Sequence, residues 1–249
     1  MNMEMADASR LMAELQETAA ELQREMRALQ SASSELTPIT VEDEKRAVKL
    51  TLARNGAVEA LVLDEDWRDS IGEESLGFTI STCYQRALEQ RIAQWMNGYA
   101  ENADQAIADA DVTIPKPAPV ELGDPGADWA VEGREKLRAL FDAAEAQQED
   151  FLAHHARKAR QTRDGVNASK TVTVTRQGAT ITGLTLDERW VRNTNDGVIE
   201  REIVNAMNNV MAMAAREREN KYEGFPAIEE LRKIAHDPRE LMRRMGAIR

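Results

Sequence analysis

The chain has 249 residues, 42% of them hydrophobic but only 4% aromatic, which suffices for one large core or two ordinary ones packed through aliphatic seams. A formal charge of -12 at pH 7 excludes a protein that coats nucleic acid or an anionic membrane with its whole surface, so any contact with phosphate has to be local. The single cysteine, Cys83, can form no disulfide within the chain. No apolar run reaches the roughly 18 residues needed to span a bilayer, and the start, MNMEMADASR, has no leader pattern, so the expectation is a cytoplasmic protein without a membrane partner.

In chain order, Leu11, Leu15, Leu22, Met26 and Leu29 recur at three, four or seven residues and predict a long helix from about residue 4 to 31. A short strand is expected over Ile39 to Glu44. Alternation of Val48, Leu50 and Leu52 predicts the next strand, Asn55-Gly56 a tight turn, and Val58 to Leu63 its hairpin partner. Asp64-Glu65-Asp66 leaves the sheet. A second helix is expected over about 73–99, with Leu76, Ile80, Tyr84, Leu88, Ile92 and Trp95 on one stripe.

The stretch 101–126 is acidic, has Lys116 as its one basic residue and carries Pro115, Pro117, Pro119 and Pro125, so it reads as an extended or disordered linker. Beyond it come a helix from about 127 to 163, strands at Lys170 to Arg176 and Thr180 to Leu186 joined by Gln177-Gly178, and a helix from about Gly197 to Tyr222. In the tail, 223–249, the residues Ile228, Leu231, Ile234, Leu241, Met242 and Met245 are spaced for one or two short amphipathic helices broken at Pro238. That tail either docks on the body or receives a protein partner through residues 226–249.

The segments before and after the linker are alike. "ARNGAVEALVLDEDW" from Ala53 aligns with "TRQGATITGLTLDERW" from Thr175, with one residue inserted in the turn, pairing Arg54 with Arg176, Leu61 with Leu184 and Trp67 with Trp190. A constant offset of 123 then matches Leu76 with Ile199, Ile80 with Ile203 and Tyr84 with Met207. A strand, turn and helix matching in the same order is best explained by internal duplication, giving one repeat at 1–100 and another at 127–222.

With a long helix, a tight hairpin whose second strand ends in a Leu-Asp step, and a second amphipathic helix, each repeat resembles the YbaB/EbfC family of small bacterial nucleoid-associated proteins. The likeness covers about 5–99 and 127–220. It implies an α+β fold in which two such units, each a long helix, a short antiparallel β-meander and a second helix, form a tweezer-like clamp on double-stranded DNA. The clamp would be a pseudo-dimer within the chain or a homodimer between chains, without enzymatic activity or cofactor and located at the nucleoid. The sequence departs from the family where "EDEKRAV" and "DGVNASK" replace the glycine-rich stretch before the hairpin, and where Asp64-Glu65 and Asp187-Glu188 replace an Asp-Pro step. Contacts made by the family's glycine loop are therefore not carried over.

No phosphate-cradling, dinucleotide, zinc or hydrolase motif occurs. His154 and His155 are adjacent on a predicted helix, which turns their rings about 100° apart and makes shared ligation awkward, so a solvated pair is expected. Carboxylates beside Trp67 fit a helix N-terminus, and Trp67 and Trp190 read as caps on the core. Catalytic and metal-binding residues are expected to be absent.

The signal that points to function is basic. Arg157, Lys158, Arg160, Arg163, Lys170 and Arg176 lie within 154–176 with only Asp164 opposing them, and Lys45, Arg46, Lys49 and Arg54 occupy the corresponding place in the first repeat beside Glu42, Asp43 and Glu44. Side by side they would contact DNA phosphates with weak sequence specificity. The same charges can instead serve a soluble helix end that complements its dipole and pairs with the acidic linker. The rival reading is an adaptor or chaperone-like component of a secretion or other multiprotein system that keeps the fold without DNA binding.

Overall fold

The structure is a computed structural model that describes residues 25–26, 28–108 and 126–244. Most of the predicted first helix, the centre of the linker at 109–125 and Met245 lie outside the described residues. The architecture is α+β, with two three-stranded antiparallel sheets and long helices. A first helix, α1, is seen over 28–34. It is followed by β1 (Ile39–Glu42), β2 (Val48–Leu52), β3 (Val58–Leu63), the short α2 (Trp67–Ile71), a 3-10 turn and the long α3 (Leu76–Ala108).

The chain continues with α4 (Asp128–Arg160), β4 (Thr162–Val166), β5 (Val172–Gln177), β6 (Thr180–Leu186), the short α5 (Glu188–Asn193), α6 (Asp196–Glu219), α7 (Pro226–Ala235) and α8 (Pro238–Arg244). In both halves three strands are followed by a short helix and then a long one. Several elements depart from expectation. Helix α3 extends to Ala108, into the stretch read as linker, and the predicted helix to residue 163 ends at Arg160, because the chain turns there into β4. Strand β4 was invisible to hydrophobic periodicity: Thr-Arg-Asp-Gly-Val carries no apolar alternation, and none of its residues is fully buried.

The two sheets share one turn. In the first, the Asp43 N–H donates to the Val48 carbonyl at 3.0 Å, the Arg46 N–H donates to the Asp43 carbonyl at 3.1 Å, and the Asp43 carboxylate accepts from the Val48 N–H at 2.6 Å. In the second, Asn167 and Lys170 do the same, with Val172 in the place of Val48. Arg46 and Lys170 both sit in the left-handed region, at φ 60° and 58°. An Asp or Asn able to bond two peptides ahead holds this turn without glycine, which is why a glycine-rich stretch is dispensable here.

The chain divides into two compact units. One comprises Met1–Pro115, Val166–Val174 and Ile181–Asn208, the other Lys116–Gly165, Thr175–Thr180 and Asn209–Arg249. In the first unit, β2 pairs antiparallel with β1 and β3 in a register that sets Leu50 against Val41 and Leu61, with a bulge at Thr51/Leu52. Val48, Leu50 and Leu52 point inward and are buried with Val58, Leu61 and Leu63, meeting Leu76, Ile80, Tyr84 and Ala87 of α3. This is alternation of period two on the strands against a three-to-four spacing on the helix. Trp67 is fully buried, and its indole N–H donates to Asp196 at 3.1 Å.

The first unit also joins the two halves of the sequence. The Asn208 side chain lies along the free edge of β3, accepting from the Val58 N–H at 2.9 Å and donating to the Val58 carbonyl at 2.8 Å. Earlier on α6, Glu200 accepts from the Leu63 N–H at 2.7 Å. Arg68 reaches Asp196 at 2.7 Å and the Thr194 carbonyl at 3.2 Å, and Arg192 answers with Glu73 at 3.0 Å. On α3, Gly77 lets the helix backbone close on the Leu184 carbonyl of β6.

The second unit packs α7 and α8 on α4. Ala130, Leu137 and Ala144 of α4 are buried, as are Ala227 and Ile234 of α7. Pro226 opens α7, where its missing N–H costs nothing. Gly133 allows the backbone of Arg244 to approach α4, and Arg244 itself ties α8 to α7 through Glu230 at 2.9 Å. The C-terminal segment up to Arg244 is therefore docked. Among the described residues no helix is long and apolar enough to cross a membrane.

Candidate nucleic-acid interface

The ten predicted phosphate-contacting residues fall into three groups. Four have their charge or polar head occupied. Arg176 is only 4% exposed, with its guanidinium donating to the Gly178 carbonyl at 2.6 Å and to Glu217 at 2.7 Å. Arg163 shares that carboxylate at 2.6 Å. Lys49 pairs with Glu42 at 2.9 Å, and the Lys45 ammonium donates to the Ser70 carbonyl at 2.6 Å.

The burial of Arg176 follows from strand period. Val172, Val174 and Arg176 share the inward face of β5 as Val48, Leu50 and Leu52 share that of β2. Arg176 therefore corresponds structurally to Leu52, not to Arg54 as the sequence alignment paired it. A guanidinium on a buried face requires an anion, and Glu217 supplies it.

Arg46, Arg54 and Lys170 stand exposed at hairpin turns, apart from one another in the chain. Arg54 lines an open groove of about 870 Å³ with Ser33, Asn55, Arg91 and Trp95. The third group is Arg157, Lys158 and Arg160, all exposed on the last turn of α4, where cations complement the helix dipole. The Gln177 side chain donates to the Arg160 carbonyl at 3.2 Å and fixes the hairpin tip to this helix end.

Around that end the second unit gathers aromatic rings that sequence reading did not connect. Phe151 stacks on Tyr222 with centroids 5.8 Å apart and meets Phe225 edge-on at 5.2 Å. His155 lies edge-on to Phe151 at 4.3 Å and bonds the Lys221 carbonyl at 2.8 Å, while His154 meets Phe225 at 5.7 Å. The two histidines, expected as a solvated pair, are partly exposed members of this aromatic cluster. Loss of water around the ring, with Lys158, His155 and Arg157 nearby, holds the His154 pKa below the ordinary histidine value.

Two further cations close the corner. The Lys221 ammonium and the Arg232 guanidinium sit 4.8 and 4.9 Å from the centre of the Tyr222 ring. An aromatic face attracts a cation but leaves its charge available to an anion. Among the described residues, no ion pair engages Arg157, Lys158, Arg160, Lys221 or Arg232. Lys221 and Arg232 lie more than fifty residues beyond Arg157 in sequence, and only the spacing of apolar residues in α7, which predicts docking, could have hinted that they return to it.

Elsewhere, Asp64 and Asp187 are exposed, and Asp187 serves as the N-cap of α5, accepting from the Trp190 N–H at 2.7 Å. Among the described residues no group of histidine, cysteine and carboxylate side chains could hold a metal ion. No family model matches the chain, and neither a curated protein nor a solved structure is detectably similar to it.

Proposed function

We propose that the chain is a non-enzymatic DNA-binding protein of the nucleoid-associated or regulatory kind, built from two YbaB/EbfC-like repeats that arose by duplication and pair within one chain. The observation that carries the DNA reading is the α4 end with the α6–α7 corner. Arg157, Lys158 and Arg160 stand exposed on the last turn of α4, and Lys221 and Arg232 lie over the Tyr222 ring, which stacks on Phe151 of the same helix; among the described residues none of the five is ion-paired. The common Asp43/Asn167 turn and the same order of elements support duplication. Such a patch contacts backbone phosphates and carries no side-chain pattern for reading bases.

The test is fluorescence anisotropy of a labelled duplex across a salt series. Neutralising about four phosphates gives a slope of log affinity against log salt of about -3.6. Changing Arg157, Lys158 and Arg160 to Glu should abolish binding while leaving the fold intact. No binding at about 50 mM salt, where the electrostatic contribution is large, overturns the reading.

A second reading, an adaptor in a multiprotein assembly, is favoured by one observation: Glu217 neutralises both Arg163 and Arg176, so part of the basic stretch is internal structure in a chain of net charge -12. Retained folding with no DNA binding at any salt concentration is the outcome that selects it.

A further inference from the structure

We propose that His154 makes phosphate binding at the α4 end proton-linked, so that the corner grips DNA more tightly as pH falls. The inference rests on the DNA reading above and adds a regulatory property to the same site. Of the chain's three histidines, two occupy this corner. Histidine is the side chain whose charge ordinarily changes between pH 5 and 8.

The groups facing the pair come from three elements. Helix α4 contributes Phe151, Arg157 and Lys158; Lys221 and Phe225 come from the turn between α6 and α7; and Arg232 of α7 lies over Tyr222, which stacks on Phe151. The charged neighbours acting on His154 are all basic. In the free protein, protonation therefore adds charge to an already cationic corner and is resisted. A bound phosphate reverses the balance, because an anion beside the His154 imidazole favours its charged form. Binding then takes up protons, and linkage requires affinity to rise as pH falls through the histidine range.

His155 adds a geometric condition. Its Nε2 lies 2.8 Å from the Lys221 carbonyl, so that nitrogen carries a proton and donates, tying the α4 end to the residues that follow α6.

The experiment measures duplex affinity at constant ionic strength between about pH 8 and pH 6, the interval spanning ordinary histidine titration. The wild-type protein should bind about tenfold more tightly at the lower pH, equivalent to one unit of total pKa change. In a His154→Gln/His155→Gln variant affinity should no longer rise as pH falls, whereas His236→Gln should keep the rise. Wild-type calorimetry in two buffers of different ionisation enthalpy supplies a readout independent of the variants and should show net proton uptake.

DNA binding that is indifferent to pH, absence of proton uptake, or full pH dependence in the double variant overturns the inference and leaves the DNA reading standing. Absence of binding at every pH overturns both.

Discussion

Within the first unit, two helices meet two strand edges in opposite ways. Helix α6 reaches β3 through side chains: the Asn208 amide pairs with both peptide groups of Val58, as a neighbouring strand would, and Glu200 takes the Leu63 N–H. Helix α3 has Gly77 at the position 123 residues before Glu200, and it closes on the Leu184 carbonyl with its own backbone. The same register is thus met once by reaching across a gap and once by removing it. Polar edge groups left near a core must find a partner or be sealed from water, and the two junctions meet that demand with different residues.

The contrast between the two junctions is most vulnerable at Gly77. A methyl group there runs into a main-chain oxygen and not into the end of a flexible side chain, so the helix or the strand has to move. Gly77→Ala should cost about 3 kcal/mol, near the upper end for overpacking, and be visible as a lower urea midpoint with an unchanged slope. A loss below about 0.5 kcal/mol, the usual surface range, would mean that α3 is free to slide and that the close approach is not required.

The halves differ again at Leu52 and Arg176, an apolar and an ionic solution at equivalent inward positions, buried to 1% and 4% exposure. Removing Glu217 leaves the guanidinium with the Gly178 carbonyl as its partner in the hairpin. Since the Glu217 side chain is 34% exposed, water can partly replace it, and Glu217→Ala should cost about 2 kcal/mol, less than for a fully buried pair. In an Arg176→Leu background the same change should cost under about 1 kcal/mol, the difference being the coupling measured by a double-mutant cycle. Equal costs in both backgrounds would show that Glu217 acts through Arg163 instead.

Asn208→Ala deletes the side-chain junction alone. Two edge bonds disappear at a partly exposed site, so a loss of about 1.5 kcal/mol is expected from chemical denaturation. Hydrogen exchange should become faster at the Val58 N–H and stay unchanged at Leu61, whose β2 partner is Leu50. Uniform acceleration along β3 would show that Asn208 supports the strand as a whole.

How much of this was legible follows from where the information resides. Val48, Leu50, Leu52 and the stripe from Leu76 to Tyr84 carry their burial in local period, and the strands and long helices they announce are present. Strand β4 has no such period, being an edge strand whose Thr162, Asp164 and Val166 are exposed. The inward position of Arg176 was latent in the alternation Val172, Val174, Arg176, but the more obvious string match to Arg54 hid it. Glu217 and the cations Lys221 and Arg232 meet the α4 and hairpin residues only after α6 and α7 fold back, a long-range event that no local pattern encodes.

Cys83 gives the smallest expected effect. Its place 123 residues before the buried Ala206 is as fully enclosed, but it adds a titratable group to α3 at a level where α6 has only a methyl group. Burial, aided by Asp43 and opposed by Arg86, pushes the thiol up to about 11. The unfolded chain ionises near the ordinary thiol value, so the folded state holds the proton over the interval between. That contribution is fully present below about pH 9 and is lost as pH rises toward about 11. Cys83→Ala should therefore leave stability near pH 7 within about 1 kcal/mol, as for a small change of buried volume, and flatten the decline of wild-type stability on the alkaline side. Thiol labelling at pH 8 should run about a hundredfold slower than for a free cysteine, because two units of pKa remove that much thiolate. Labelling at the free rate would place the sulfur in water, and the apolar match between the two long helices at this level would fail with it.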